Sequence, residues 1–458
     1  MYLTHLVFLL ICIGNSYSTL SSQINFLHIT DIHYDPEYYV GAPNNCVLIN
    51  SGLGCCREAD IPKEPYQKAN PMGDYNCDTP LLLINKTLDW IQSNLNQNQE
   101  LDFIIYTGDT VGHHDFSQSV TKNIDTINRL FQVFHHYFPD TPLFPVIGNH
   151  DTWPIDQTIP LVSTIFLEEI TDQVAKWLDN NGKSCFKQNG YYSYSFPFSP
   201  NNNTSGWKII VFNSLWYDSN NLFHNISHSS HTQWSWLNNE LNLARHNHQK
   251  VIFLNHIPLI NQKQKNPPIH IGPISFPRVI GKYQHESSPY YSRRLLQVLS
   301  NFSDIVVLQL YGHTHHDEIQ LYRYNNQTIG FSLNGGSLLP SSHDPMFRVF
   351  HIQFDKNNSS NVLIDYDQYI INLNDLINSK SNSSKEFSYK KLYSFTELYN
   401  ITSITSDSIE NIYKNMKIID GKPTKALNVY CSHYLPNATK LHVDKSCLKT
   451  YQNILIEY

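Results

Sequence analysis

The 458-residue chain is 41% hydrophobic and 13% aromatic, enough to bury a large core, and its net charge of -7 comes without a basic block. That balance excludes a disordered chain, and it excludes a nucleic-acid polymer as the main partner. The 23 histidines make the sign of the charge depend on pH, which fits an acidic compartment.

Residues 1–18 read as a secretory signal, because Leu6 to Ile13 is apolar but too short to span a bilayer and Ser16-Tyr17-Ser18 is a small-x-small cleavage pattern. No later stretch is long and apolar enough to suggest a transmembrane segment. Eleven Asn-x-Ser/Thr sequons between Asn85 and Asn437 are expected to offer sites for N-glycans on a protein that is secreted or held in the endolysosomal lumen. If Cys12 leaves with the signal, an odd number of cysteines remains. The spacing predicts local disulfides within Cys46 to Cys77 and between Cys431 and Cys447, with Cys185 left over.

In chain order, short apolar runs alternate with helical patterns. Ile24 to Thr30 predicts a strand that ends in Asp31-Ile32-His33, and a Cys-stapled loop follows. A helix is expected next, with Thr79 as N-cap, Pro80 at its first position and Leu82, Leu83, Leu88, Ile91 and Leu95 buried. Leu101 to Thr107 is the next strand, ending in Gly108-Asp109, and Ser119 to Tyr137 is an amphipathic helix. Leu143 to Ile147 predicts a strand ending in Gly148-Asn149-His150-Asp151, before a helix near Val162 to Asp179. Then come a strand at Lys208 to Phe212, a helix at Thr232 to Arg245, and a strand at Lys250 to Leu254 that ends in Asn255-His256. Trp234 and Trp236 read as core packing. A helix at Tyr290 to Ser300 precedes the run Ile305 to Leu310, which ends in Tyr311-Gly312-His313-Thr314-His315-His316-Asp317. If that run continues as extended chain, His313 and His315 share a face, as Asp31 and His33 would. Ile329 to Leu333, Val349 to Phe354 and Val362 to Tyr369 predict a second sheet. From Ser379 the chain is Ser- and Asn-rich, then helical near Ser408 to Met416.

Position carries the functional reading. Five strands end, on the same side, in residues suited to a hard or borderline metal: Asp31 and His33, Asp109, Asn149 with His150, His256, and His313 with His315. In α/β sheets, sites form outside the carboxyl ends of strands, where loops converge.

These motifs resemble the calcineurin-like metallophosphoesterases. The wording of Phe26 to Pro36, the Cys-rich loop after it, and Gly312 to Glu318 resembles the acid sphingomyelinase family within them. The resemblance implies an α/β fold, a four-layer α/β/β/α sandwich with a small helical C-terminal cap. It places the catalytic domain over residues 19–378, with a stapled loop at 46–77, and a linker with a disulfide-stapled subdomain over 379–458. It implies two zinc ions, one on Asp31, His33, Asp109 and His315 and the other on Asp109, Asn149, His256 and His313, with His150 and His113 catalytic. Asp151 would orient His150 or stand as a solvated turn residue.

The implied reaction is phosphodiester hydrolysis by a hydroxide held between the metals, such as sphingomyelin to ceramide and phosphocholine. The alternative substrates are soluble nucleotides or nucleotide-linked cholines. Acid sphingomyelinase carries a saposin-like domain ahead of its catalytic domain, whereas here the first motif follows the expected signal closely, so contact with lipid would have to be peripheral and made by other means. Asn255-His256-Ile257-Pro258-Leu259 also lacks the family's second proline. Purple acid phosphatases place a tyrosine three residues after the shared aspartate, where this chain has Gly112. A non-enzymatic secreted binding glycoprotein is the remaining rival, and it should have lost ligands that are all present here.

Overall fold

The computed structural model describes residues 23–47, 54–97, 100–114, 117–196, 206–223, 228–259, 269–271, 274–276, 289–340, 343–354, 362–378, 387–419, 422–434, 447 and 454–457. The expected signal at residues 1–18 lies outside them.

The elements begin with β1 Gln23–Ile29, α1 Leu81–Leu95, β2 Phe103–Tyr106, α2 Val120–Tyr137, β3 Leu143–Pro145, α3 Pro160–Val174 and α4 Asn180–Asn189. They continue with β4 Tyr192–Phe196, β5 Trp207–Val211, α5 His228–His246, β6 Lys250–Leu254, the hairpin β7 Ile269–Ile271 and β8 Ile274–Phe276, and α6 Pro289–Ser300. Next are β9 Val306–Tyr311, β10 Glu318–Tyr324, β11 Gln327–Asn334, β12 Met346–Phe354, β13 Val362–Ile370, α7 Leu373–Asn378 and β14 Lys390–Ser394. The last are α8 Phe395–Tyr399, α9 Ser406–Asn415, β15 Ile418–Ile419, β16 Lys422–Pro423, α10 Lys425–Tyr434 and β17 Leu455–Glu457.

Two large mixed sheets carry the fold. The first has the order β14-β13-β12-β1-β2-β3 and the second β17-β10-β11-β9-β6-β5-β4. The parallel strands at the centre of each are apolar on both faces, because a sheet covered on both sides alternates nothing to solvent. Period two then sorts side chains between two cores. Ile209, Val211, Ile252 and Leu254 belong to the core shared with Phe26 and Phe103 of the first sheet. Ile210, Phe212, Val251 and Phe253 pack the other way, against Trp234, Leu237 and Leu241 of α5 and Tyr291 and Leu295 of α6. Phe103 stacks on Phe196 at 5.1 Å, joining strands of different sheets. The α/β sandwich expected from the motifs is the architecture found, and Trp234 is core, 2% exposed.

Several local expectations need correction. Helix α1 starts at Leu81 with Pro80 as its cap residue, not Thr79. The Thr79 backbone is taken up elsewhere: its N–H donates to His33 O at 2.9 Å and its carbonyl accepts from Asp35 N at 3.0 Å. Leu82 is exposed, and Ile84 and Thr87 fill the buried face instead. The helix expected at Val162 to Asp179 ends at Val174, and Asp179 instead caps a separate helix, α4, that was not foreseen, by accepting from Gly182 N at 2.8 Å. Strands β12 and β13 do not found a separate sheet with β11. They extend the first sheet beside β1, while β11 pairs with β9 in the second. Strands β4, β10, β14 and β17 were not foreseen.

Disulfides join Cys46 to Cys55, Cys56 to Cys77 and Cys431 to Cys447. Cys185 is buried and also disulfide-bonded, so it is not left over. The C-terminal stretch adds β14 to the edge of the first sheet and β17, through β10, to the second, with α8, α9 and α10 beside them. No helix among the described residues is long and apolar enough to cross a membrane.

Candidate metal centre

Loops after β1, β2 and β3 of the first sheet meet loops after β6 and β9 of the second. Backbone hydrogen bonds lace them together: Asp31 N donates to Gly108 O at 3.0 Å, His33 N to Asp109 O at 3.0 Å and Gly312 N to His256 O at 3.1 Å. All seven candidate ligands converge there. Asp31, His33, Asp109 and His315 bring donor atoms within 4.8 Å of one another, and so do Asp109, His256 and His313. Asn149 joins the second group, its Oδ1 lying 2.9 Å from His256 Nε2 and 2.8 Å from His313 Nδ1.

Convergence does not come from extended chain. Strands β1 and β9 end at Ile29 and Tyr311, before their ligands, and Asp31, His33, Asp109, His313 and His315 have φ of 49°, 46°, 58°, 70° and 62°. Left-handed backbone at non-glycine residues is unfavourable, and five instances at one site mark a geometry imposed by the surrounding loops. Two glycines make the crowding possible. A Cβ on Gly148 would stand 2.1 Å from Asp109 Oδ1, and one on Gly312 would stand 2.6 Å from Asp31 Oδ2.

The ring tautomers follow from the backbone. A carbonyl only accepts, so His33 Nδ1, 2.9 Å from Val111 O, and His256 Nδ1, 2.7 Å from Thr107 O, carry protons in the neutral rings. Their Nε2 lone pairs then face inward. His33 Nε2 stands 3.0 Å from His315 Nε2, and His256 Nε2 stands 3.3 Å from Asp109 Oδ2, while His33 Nε2 is 3.5 Å from that same oxygen. Lone pairs aimed at one another at such distances suit a cation among them, and Asp109 Oδ2 faces both groups. Protonation is the poorer alternative at His33 and His315. Burial, with His113 nearby, holds His33 and His315 well below the usual imidazole range. Burial also pushes Asp31 up to about 7 although His256 opposes it. At His256 burial works against the charge, but Asp109 prevails and pushes it up to about 9.

His113 and His150 flank this cluster. The His113 ring lies 4.1 Å from that of His33 and 4.4 Å from that of His150. Burial and His113 push His150 down to about 3, and its Nδ1 has no hydrogen-bond partner among the described residues. Asp151 neither orients His150 nor faces solvent. It is buried, and its carboxylate accepts from Thr110 N at 2.7 Å and Gly148 N at 2.8 Å, tying the loop after β2 to the loop after β3.

Two supporting carboxylates escaped the sequence reading. Asp78, fully buried and next to Cys77, accepts from His113 Nδ1 and from His113 N, both at 2.7 Å. Burial opposes its charge, yet His113 holds it below the usual carboxylate range. Asp156 Oδ1 accepts from Asn149 Nδ2 at 2.8 Å, which turns the Asn149 oxygen toward the histidines. Only the neighbouring disulfide cysteine could have flagged Asp78, and nothing local flags Asp156.

Comparison with known proteins agrees with this architecture. The model of the calcineurin-like phosphoesterase family matches residues 24–317. The chain is 28% identical to sphingomyelin phosphodiesterase A of Dictyostelium discoideum over 92% of its own length, and it spans 64% of that protein. It is 27% identical to human cyclic GMP-AMP phosphodiesterase, across 93% of this chain and 86% of the relative. Against human acid sphingomyelinase-like phosphodiesterase 3b the identity is 25%, across 84% and 78%. The family match spans β1 to the end of the loop after β9, the stretch that carries every candidate ligand, and the chain belongs to the calcineurin-like phosphoesterase family.

Proposed function

We propose that this protein is a phosphoric diester hydrolase of the acid sphingomyelinase type, working with two zinc ions on substrates such as sphingomyelin. One observation carries the reading: seven donor residues from five strand ends converge on two adjoining sites, with Asp109 common to both. Asp31, His33, Asp109 and His315 would hold one ion, and Asp109, Asn149, His256 and His313 the other. When bound, two such ions supply an activated water and polarise the phosphoryl oxygens. Two carboxylates leave a site holding two divalent ions cationic, which suits a monoanionic phosphodiester.

The chain's own groups do the rest. Asp78 accepts from His113 Nδ1, so a doubly protonated His113 would give its second proton, the one on Nε2, to a leaving alkoxide. His150, held neutral by burial, is suited to stabilise a phosphoryl oxygen by donating a hydrogen bond. The disulfides Cys46–Cys55, Cys56–Cys77 and Cys431–Cys447 and the sequons suit a secreted or endolysosomal glycoprotein. Peripheral contact with a lipid surface belongs to the same reading, and Trp153, half-exposed three residues beyond His150, is suited to it.

A second reading replaces sphingomyelin by nucleotides or nucleotide-linked cholines. It is favoured by the relative named as a cyclic GMP-AMP phosphodiesterase, most of whose length this chain covers. The deciding experiment assays purified, zinc-loaded protein at pH 5 on sphingomyelin in detergent micelles beside a nucleotide panel, with His150→Ala as control. Phosphocholine release abolished in the variant supports the first reading. Nucleotide turnover with inert sphingomyelin establishes the second, and no hydrolysis of any phosphodiester ends the enzyme reading.

A further inference from the structure

Beneath Asp31 a line of polar side chains runs into the sheet. Thr30 Oγ1 donates to Asp31 Oδ2 at 2.6 Å, Thr107 Oγ1 donates to Thr30 Oγ1 at 2.6 Å, and Thr107 Oγ1 lies 3.0 Å from His28 Nε2. All four residues are buried, His28 at 2% and the others at 0% exposure. Polar groups at such depth cost free energy unless they are hydrogen-bonded, and apolar residues of the same shape would avoid that cost.

The direction of the line is dictated by its end. A carboxylate only accepts, and each threonine hydroxyl has a single proton. Thr30 therefore spends its proton on Asp31, Thr107 spends its own on Thr30, and the Thr107 oxygen is left to accept from His28 Nε2–H. Nδ1 of His28 is then bare, and it has no hydrogen-bond partner among the described residues. Two glycines keep the space open. A Cβ on Gly312 would stand 2.3 Å from Thr30 Oγ1, and one on Gly335 would stand 2.9 Å from both His28 Cε1 and Thr30 Cγ2.

Asp31 Oδ1 stands 3.6 Å from His315 Nε2, Oδ2 accepts from Thr30, and the His313 backbone N–H donates to both oxygens, at 2.9 Å to Oδ1 and 3.1 Å to Oδ2. The line thus assigns the two carboxylate oxygens different tasks. We propose that His28, Thr107 and Thr30 form a directed hydrogen-bond relay that orients Asp31 and sets the metal affinity of its site, with His28 as a positioning residue. This rests on the metal reading above. The relay acts chiefly on one site, because Asp31 belongs to one donor group and meets the His256–His313 group only through the His313 backbone N–H.

The test titrates metal-free protein with zinc against a chromophoric competitor and resolves two dissociation constants. Thr107→Val keeps the backbone carbonyl that His256 uses and removes only the hydroxyl, and His28→Leu removes the far donor. Each is expected to weaken one zinc ion by about 10- to 100-fold and leave the other within about twofold. Thr107→Ser and His28→Gln, which retain a donor, should restore most of the loss. Melting of the metal-free variants shows whether packing has been lost as well. Wild-type affinity at both sites in Thr107→Val and His28→Leu would overturn the proposal. So would equal weakening of both sites with a lower melting temperature, since that is what a purely structural role yields. A wild-type protein that takes up no zinc would overturn the metal reading itself, and the relay with it, before any variant is compared.

Discussion

The loop that follows β9 enters two buried polar clusters, and they handle charge in opposite ways. At its start, His313 and His315 face Asp31, Asp109, His33 and His256, and the Nε2 atoms of His33 and His315 stand 3.0 Å apart. At its end, Asp317 is fully buried but closed off: the Arg348 guanidinium and the Tyr393 hydroxyl donate to it, and His433 Nδ1 lies 3.3 Å away. Arg348 in turn donates to Gln368 Oε1 at 2.7 Å and lies over the Tyr366 ring at 4.7 Å. Burial opposes the Asp317 charge, but Arg348 and His433 hold its carboxyl below the usual range. One cluster pairs its buried carboxylate with a cation of the chain itself; the other has the donor set of a site completed by added cations. The closed cluster ties β12, β14 and α10 to the far end of the loop, and that anchoring leaves the ligand end held by its own backbone contacts.

Chelation should separate the two most sharply. Prolonged dialysis against a strong chelator is expected to bring hydrolysis to background while far-ultraviolet circular dichroism is retained, since the sheets do not depend on the open cluster. Loss of secondary structure together with activity would erase the distinction. His113→Ala and His150→Ala should each lower kcat by about 10²- to 10⁴-fold with zinc content unchanged, measured by steady-state assay and metal analysis. Arg348→Met attacks the closed cluster instead, leaving a buried, unpaired Asp317. It should destabilise the protein by about 3–5 kcal/mol in denaturant unfolding, whereas Asp317→Asn combined with Arg348→Met should recover much of that. Asp78→Asn should lower kcat by about tenfold or more, some 1.4 kcal/mol, without changing zinc stoichiometry, because it acts on His113 and not on a ligand.

Acid provides the finest comparison. The folded pKa of Asp317 is depressed, so the stability it contributes is present above its unfolded value of about 3.9 and is lost as pH falls through the folded pKa. Metal-binding imidazoles must be neutral, and their ordinary value is about 6.5, so proton competition sets in at higher pH. Zinc release is therefore expected before unfolding as pH is lowered. A single coincident transition, followed by metal analysis and fluorescence on one titration, would show that the clusters cannot be opened separately.

Much of the centre was legible in the chain because each ligand motif is short and sits directly after an apolar run. Asp31-Ile32-His33, Gly108-Asp109, Asn149-His150, Asn255-His256 and His313-Thr314-His315 each need only local reading, and the strands before them announce themselves by composition. The same holds for α2, expected over Ser119 to Tyr137 and found over Val120–Tyr137, with Ser119 as the cap that accepts from Lys122 N. The expectation that His313 and His315 share a strand face failed, because backbone hydrogen bonds between loops force left-handed φ at both.

What depends on partners distant in sequence could not be read in advance. Asp78 meets His113 across 35 residues, and His28 meets Thr107 across 79. Whether β12 joins β1 or β11 turns on pairing energies between whole strands, which no periodicity encodes. The sequence by itself determined the inventory of candidate ligands and the α/β class, since both follow from local residue type and spacing. Tertiary structure alone decided which oxygens face which nitrogens, which carboxylates stand behind the histidines, and which buried charge is closed, since those are matters of burial and angle between elements that meet only once the chain has folded.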